Sequence, residues 1–359
     1  MRRANWIIFC RVVDYFGDAG FCWRLAGALA RCGVGTVILV IDRLDVLEAI
    51  RGTERFDNVT VLPWNVIEDE WARAGVPAEH QADVVIEAFA CSPPQCYLAS
   101  LGCGARWFTL DYLATEPWAD SVHGCASPAP RITSTVGRKR RWCVPGFSRA
   151  TGGLLHGSWR HISARKRQDW RTELAGYPIS DDIFLVLAFG YPDASWSELR
   201  SLLTGRLPEG FRDWLLWQPS GIDFSQSQFD EILQACDLNF VRGEDSFIRA
   251  HWASAGRWRV PFIWQPYRQE GQGHSHKLAG WMQQVLVDPK LSVLIDFHWG
   301  WNGLRAVDTH HDLPLESAWE GLVGGFAGVK ERLHRACLQL AGRPSLEGSL
   351  IEMAETARI

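Results

Sequence analysis

Residues Asp14 to Leu25, reading Asp-Tyr-Phe-Gly-Asp-Ala-Gly-Phe-Cys-Trp-Arg-Leu, constrain this chain more than any other stretch. They follow Trp6-Ile7-Ile8-Phe9-Cys10, an apolar run with the length of a buried strand, and lead into Leu25-Ala26-Gly27-Ala28-Leu29-Ala30, which reads as helix. A strand, a loop and a helix at the start of an α/β fold place the loop at the carboxyl edge of the sheet, where open α/β sheets bind ligands. The loop carries two carboxylates four residues apart, Asp14 and Asp18. Two readings are open on this pattern alone. Asp18 can cap the helix while Asp14 is solvated, or both can serve a ligand.

The 359 residues exceed what one core usually organises, which predicts two domains. A net charge of −4 gives no reason to expect nucleic-acid or membrane-surface binding. The residues before Trp6 are too few and too polar for a signal peptide, and no apolar run approaches transmembrane length. The ten cysteines contain no pair at zinc-knuckle or redox spacing, and those in apolar runs read as small core residues. The expectation is a reduced, cytoplasmic protein. Nineteen tryptophans must be largely buried or line clefts, because that much exposed indole would aggregate.

The first half alternates apolar strands with helix-length connections, at Thr36–Ile41, Ala82–Phe89 and Ala105–Leu110. Such spacing predicts a parallel sheet covered on both faces. The basic run Arg138-Lys139-Arg140-Arg141 reads as a solvated turn or strand edge. A helix over Arg165–Ala175 ends at Gly176-Tyr177-Pro178, where the domain junction is expected. A second alternating series follows, with strands at Ile183–Phe189, Trp214–Trp217, Asp237–Val241 and Val260–Gln265. Helices are expected near Gln226–Ala235 and Ser246–Ala255, and the chain end is helical. The predicted organisation is an N-terminal domain over 1–178, a C-terminal domain over 179–342, and a final helix near 343–359 packing back on the first.

No G-x-G-x-x-G follows the first strand, no Walker lysine is present, and no Asp-x-Asp occurs in the chain. Helix N-termini and protein donors would then have to neutralise any diphosphate. The strongest candidate for that is Phe240-Val241-Arg242-Gly243-Glu244-Asp245-Ser246-Phe247, a strand end, a glycine turn and a helix start. Arg242, the Ser246 hydroxyl and backbone N–H groups can converge on a phosphate, and Glu244 or Asp245 can take a sugar hydroxyl. The same residues also suit an ordinary N-cap. A second segment, Trp264 to Leu278, follows a strand and contains His274 and His276. Two histidines two apart on a helix face different sides, which argues against zinc. Phe189-Gly190-Tyr191, just after a strand, can stack on a nucleobase or simply pack.

Together these motifs resemble one family, the bacterial elongation factor P arginine rhamnosyltransferases (EarP). The resemblance lies in Phe9–Asp14, Phe16-Gly17-Asp18, Cys22–Leu25, Val85–Cys91, Pro145-Gly146-Phe147, Thr151–Leu155 and Ala235–Phe247. It implies an α/β GT-B fold, two Rossmann-like domains facing across a cleft. It also implies an inverting enzyme that moves L-rhamnose from dTDP-β-L-rhamnose, as co-substrate, to an arginine of elongation factor P, with no cofactor and no metal. By position, Asp14 and Asp18 match the family aspartates beside the acceptor arginine. Phe189 and Tyr191 match aromatics around the thymine, Gln226 a glutamine at the nucleoside, and Arg242, Glu244, Asp245 and Ser246 the donor-binding turn. Two departures stand out: Gly190 replaces a larger residue between the aromatics, and Gly271-Gln272-Gly273 is less acidic than its counterpart.

The residue types suit the chemistry. A guanidinium is a poor nucleophile because its lone pairs are delocalised and it stays protonated. Two carboxylates can grip it and localise electron density on one nitrogen. Two other readings are carried alongside: a non-catalytic GT-B-fold protein that binds a nucleotide or partner, and a transferase with another acceptor.

Overall fold

The computed structural model describes residues 3–127, 140–221, 224–268, 273–304 and 313–356, without the side chain of Tyr15. Arg138 and Lys139 of the basic run, Gln269 to Gln272 of the second candidate segment, and the last three residues of the expected terminal helix lie outside them. The chain divides into two compact units, residues 1–158 with 343–359, and residues 159–342.

The first unit contains β1 (Trp6–Cys10), β2 (Val37–Ile41), β3 (Val59–Pro63), β4 (Val84–Ala88), β5 (Arg106–Leu110), β6 (Ala126–Ser127) and β7 (Arg140–Cys143). Among the described residues they form one sheet in the order β3-β2-β1-β4-β5-β7-β6, parallel except for β6. β1, β2 and β4 are buried along their whole length, as strands covered on both faces must be. Strand β3 is absent from the sequence-based expectation. As the half-exposed edge strand it has one alternate residue open to solvent and lacks a continuous apolar signal.

The second unit contains β8 (Ile183–Ala188), β9 (Asp213–Trp217), β10 (Leu238–Arg242) and β11 (Phe262–Gln265), all parallel, in the order β11-β10-β8-β9. Both sheets reverse direction beside their first strand: between β1 and β4 in one, between β8 and β10 in the other. At such a switch point the connections leave in opposite directions, and the carboxyl ends of the two strands border an open crevice.

Three expectations are corrected. The first helix is Tyr15–Arg31, so the loop after β1 is four residues long and Asp18 lies inside the helix. The junction falls at 158/159 rather than at 178. The reason is a set of bonds that the intervening segment makes in the second unit. The Arg249 guanidinium lies 4.8 Å over Trp159, and Gln234 bonds the backbone of Arg160 and Ile162. In helix Ala164–Ala175, Arg167 and the fully buried Arg171 both reach Asp237, at 2.7 and 2.8 Å. Lastly, of the turn or strand edge expected at the basic run, Arg140 takes the strand, opening β7, but it is paired rather than solvated: it donates to the buried Glu87 at 2.7 Å. Against this ion pair, burial raises the Glu87 carboxyl to about 7.

The terminal helix Leu346–Thr356 belongs to the first unit. Leu346 N–H donates to Leu154 O at 2.9 Å, and Arg106 Nη1 donates to Ala354 O at 2.7 Å. No helix among the described residues is long and apolar enough to cross a membrane.

Asp237 also accepts the Leu185 amide of β8 at 2.9 Å, so one carboxylate joins helix, strand and loop. Replacing it leaves the buried Arg171 charge with only the exposed Asp181, 4.0 Å away, as counter-ion. Asp237→Ala is expected to cost about 3–5 kcal/mol, read as a lowered denaturation midpoint with urea.

Candidate active site

In the first unit the crevice lies between the ends of β1 and β4. The chain after β1 is pinned by two carboxylates. Asp42, just past β2, accepts Val12 N–H at 2.9 Å. Asp18 Oδ2 accepts Val13 N–H at 2.8 Å and Asp14 N–H at 2.9 Å. Asp18 is 2% exposed, so its charge is held by backbone dipoles instead of water. Asp14 occupies the N-cap position without a side-chain cap bond and is exposed. A Cβ at Gly17 would stand 2.7 Å from Asp14 Oδ2, so glycine there leaves that carboxylate its place. Asp18 therefore does fix the chain entering the helix, as the capping reading expects, but from inside the first turn. Its bonds set the backbone that carries Asp14.

β4 is followed by two non-glycine residues with left-handed backbone, Phe89 (φ 55°) and Ala90 (φ 56°). For a bulky residue this conformation is rare and costs about 1–3 kcal/mol. Phe89 packs edge-on against Phe21, with centroids 5.6 Å apart, and stacks on Tyr112 after β5 at 4.4 Å and 16°.

In the second unit the ends of β8 and β10 bring together most of the residues expected there. The Arg242 guanidinium lies 4.8 Å over the Phe189 ring and 5.0 Å over that of Tyr191, and Nη1 donates to Gly190 O at 3.3 Å. Phe229 packs on Phe189 at 5.0 Å, and Gln226, one turn earlier on helix Gln226–Ala235, shares its side of that helix. Gly190 has a physical cause: a Cβ there would fall 2.5 Å from the Trp196 ring and 2.9 Å from Gln265 Oε1, so bulk supplied by neighbours takes the place of a side chain.

Gly243 makes the turn with φ 60°, and helix Asp245–Ala255 starts at once. Ser246 Oγ donates to Arg242 O at 2.5 Å and accepts Arg242 N–H at 3.2 Å, which closes the turn. Trp264 fixes the turn from below. Its Nε1–H donates to Gly243 O at 2.7 Å, and its ring stacks on Phe247 at 3.7 Å. Glu244 pairs with Lys277 of helix Gly273–Val285.

The structure adds Lys277 and Gln265 to the expected residues. Gln265 Oε1 accepts Tyr191 N–H at 2.9 Å, tying the end of β11 to the aromatic segment. Gln265 ends a strand at the carboxyl edge, a signal present in the sequence. The Lys277 pairing crosses 33 residues and has no local signature. His274 Nδ1 is buried with no hydrogen-bond partner among the described residues. No cluster of three or more His, Cys, Asp or Glu able to hold a metal occurs among them.

Two buried histidines support this floor. His251 Nδ1 bonds Phe247 O at 2.8 Å and its Nε2 accepts Trp281 Nε1–H at 3.0 Å. His298 Nδ1 bonds Leu294 O at 2.8 Å and its Nε2 accepts Trp264 N–H at 3.1 Å. An acceptor role at Nε2 requires the neutral ring with its proton on Nδ1. Burial lowers the two pKa values to about 3 and about 4.

The fold agrees with solved structures. Over 99% of both chains it matches, with a TM-score of 0.58 and 20% identity, a structure described as the basis for EarP-mediated arginine glycosylation of translation elongation factor EF-P. Over 99% of this chain and 100% of the other it matches Arabidopsis thaliana UGT89C1 in complex with quercetin, with a TM-score of 0.52 and 11% identity. The fold is that of a GT-B glycosyltransferase.

A protein-family profile described as Elongation-Factor P (EF-P) rhamnosyltransferase EarP matches residues 6–207 and 222–355, and the chain belongs to that family of enzymes. Relatives named protein-arginine rhamnosyltransferase include that of Pseudomonas putida, 29% identical over 97% of this chain and 98% of its own. Another is that of Shewanella oneidensis, 31% identical over 78% of this chain and 80% of its own.

The histidines carry a pH prediction. Their folded pKa values lie below the unfolded value near 6.5, so the unfolded chain binds more protons on acidification. Their contribution is complete above about pH 6.5 and is lost as the pH falls through about 4 for His298 and about 3 for His251. At pH 5 each has lost about 2 kcal/mol. Denaturation midpoints measured from pH 7 to 5 should fall, and His298→Gln, which gains no proton, should flatten the slope.

Proposed function

We propose that this enzyme transfers L-rhamnose from dTDP-β-L-rhamnose to one arginine side chain of elongation factor P, with inversion. The α-linked rhamnosyl-arginine then activates the factor for translation of proline runs. The observation that carries the reading is the carboxylate pair at the β1–β4 switch point. Asp18 is buried on two backbone amides, and Asp14 stands exposed one helical turn away. Family membership supports elongation factor P as the acceptor and rhamnose as the sugar.

In this reading the first unit receives the acceptor. Asp14 and Asp18 hold the guanidinium by charge-assisted hydrogen bonds and localise its electron density on one nitrogen. As that nitrogen attacks the anomeric carbon, the bond to the dTDP oxygen breaks and one carboxylate takes the proton. We assign Asp18 as the base, because its bonds to Val13 and Asp14 fix its position, and Asp14 as the orienting partner. One displacement inverts the anomeric centre and needs no nucleophile from the enzyme.

The second unit holds the donor. Phe189, Tyr191 and Gln226 take the thymidine, and Glu244 and Asp245 take hydroxyl groups of the donor. Negative charge developing on the diphosphate is met by Arg242, by Lys277 and by the N–H groups that open helix Asp245–Ala255 beside Ser246. These donors supply the charge a divalent ion would otherwise bring, so the reaction runs without metal. The setting is the cytoplasm, where the acceptor factor works, and all ten cysteines are free thiols.

Purified enzyme with dTDP-β-L-rhamnose and elongation factor P should place one rhamnose mass on one arginine, read by mass spectrometry. Asp14→Asn and Asp18→Asn should each reduce the rate by at least about 10²-fold while retaining nucleotide binding. Near-normal rates in both would overturn the mechanism, and tight thymidine-nucleotide binding without turnover would point to a binding protein. Excess EDTA should leave the wild-type rate unchanged.

A further inference from the structure

Phe89 and Tyr112 have no part in the reading above, yet the fold commits structure to them. Phe89 follows β4 and Tyr112 follows β5, both at the carboxyl edge where Asp14 and Asp18 lie. Phe89 N–H donates to Leu110 O at 2.7 Å, which prolongs the β4–β5 pairing and fixes the residue just before the chain turns. Phe89 and Ala90 then adopt left-handed backbone, φ 55° and 56°, in a fold that uses glycine freely for such turns. Strain of this kind persists only where surrounding structure over-determines it, and it gathers at ligand sites.

What the strained turn accomplishes is the placement of one ring. It sets Phe89 edge-on against Phe21 and face to face with Tyr112. Phe21 lies one helical turn beyond Asp18 on the same side of helix Tyr15–Arg31. Tyr112 is itself anchored, since its amide donates to Asp111 Oδ1 at 2.8 Å and Asp111 N–H donates to Cys143 O at 3.0 Å. Both Phe89 and Tyr112 are half-buried rather than sealed in the core. The result is a rigid aromatic wall, reached by solvent, alongside the stripe of the helix that carries the aspartate.

We propose that Phe89 and Tyr112 form the platform against which the acceptor's guanidinium stacks, and that they contribute to the choice of arginine over lysine. This rests on the acceptor role given to Asp14 and Asp18. A guanidinium is planar and weakly hydrated, so it can take hydrogen bonds at its edge from carboxylates while an aromatic face lies against its plane. An ammonium keeps its charge but has no plane to stack. Stacking also restrains rotation about the plane, which presents one nitrogen along one line of attack.

The test is steady-state kinetics on wild-type enzyme, Tyr112→Ala, Tyr112→Phe and Phe89→Ala, varying acceptor protein and dTDP-β-L-rhamnose separately. An acceptor with lysine in place of the modified arginine serves as competitor. Tyr112→Ala and Phe89→Ala should raise the acceptor KM about tenfold, leave the donor KM unchanged, and narrow the gap in affinity between arginine and lysine acceptors. Tyr112→Phe, which keeps the ring, should match wild type. An unchanged acceptor KM in Tyr112→Ala, or a Tyr112→Phe as impaired as Tyr112→Ala, would overturn the stacking role while wild-type turnover still stands. Failure of the wild-type enzyme to modify the acceptor at all would sink the functional reading and this role with it.

Discussion

Everything functional in this chain depends on where two parallel sheets reverse their strand order. Parallel pairing forces each connection to cross a face of the sheet, and the connections on either side of the first strand leave in opposite directions. The carboxyl ends of β1 and β4 in one unit, and of β8 and β10 in the other, are therefore left uncovered. Asp14, Asp18 and Phe89 stand at the first opening. Phe189, Tyr191 and Arg242 stand at the second. Strands buried from end to end leave little room for polar side chains along their length, so the polar chemistry collects where the strands stop.

The two openings are stiffened differently. In the first unit the strand end is held by carboxylates: Asp42 and Asp18 accept the three consecutive amides of Val12, Val13 and Asp14. In the second, an aromatic and imidazole floor carries the turn at Gly243. His298 holds the Trp264 amide, and Trp264 in turn holds Gly243 through its indole N–H and Phe247 through ring stacking. Neutral histidines suit this layer because each ring satisfies one donor and one acceptor without a charge to solvate. The buried charges of this unit are paired instead, Asp237 with Arg167 and Arg171, and Asp230 with Arg249 in a bidentate bond. Paired in this way, they fix neighbouring elements to one another without leaving a lone charge in the interior.

Much of this was legible in the sequence, and the misses have definite causes. Continuous apolar strands such as Trp6–Cys10 and Phe184–Ala188 announce themselves, because a strand buried on both faces has no polar alternation to confuse it with a loop. Strand Val59–Pro63 lies at the sheet edge with a mixed pattern and gives no such signal. The first helix begins at Tyr15, well before the apolar run at Leu25, although its first turns contain Gly17, Asp18 and Gly20, poor helix formers by propensity. The carboxylate of Asp18 anchors the preceding backbone amides and compensates. Turn chemistry at Gly176-Tyr177-Pro178 suggests a junction there, whereas the ion pairs of Arg167 and Arg171 with Asp237, far along the chain, assign that helix to the second unit.

The sequence by itself determined the α/β class, the strand ends beside which Asp14, Asp18, Phe189, Tyr191 and Arg242 stand, and, through its motifs, the family. These are local matters of apolar run length, turn residues and spacing, and they need no knowledge of what packs against what. Only the tertiary structure decided which strands are neighbours, and hence that each switch point lies at those residues. It decided that Arg242 rests over both aromatic rings, that Lys277 meets Glu244, and that a strained turn at Phe89 sets its ring against Tyr112. Each of these joins residues distant in the chain. Such contacts follow from strand order and layer packing, which the run of residue types along the chain leaves open until the whole core is assembled.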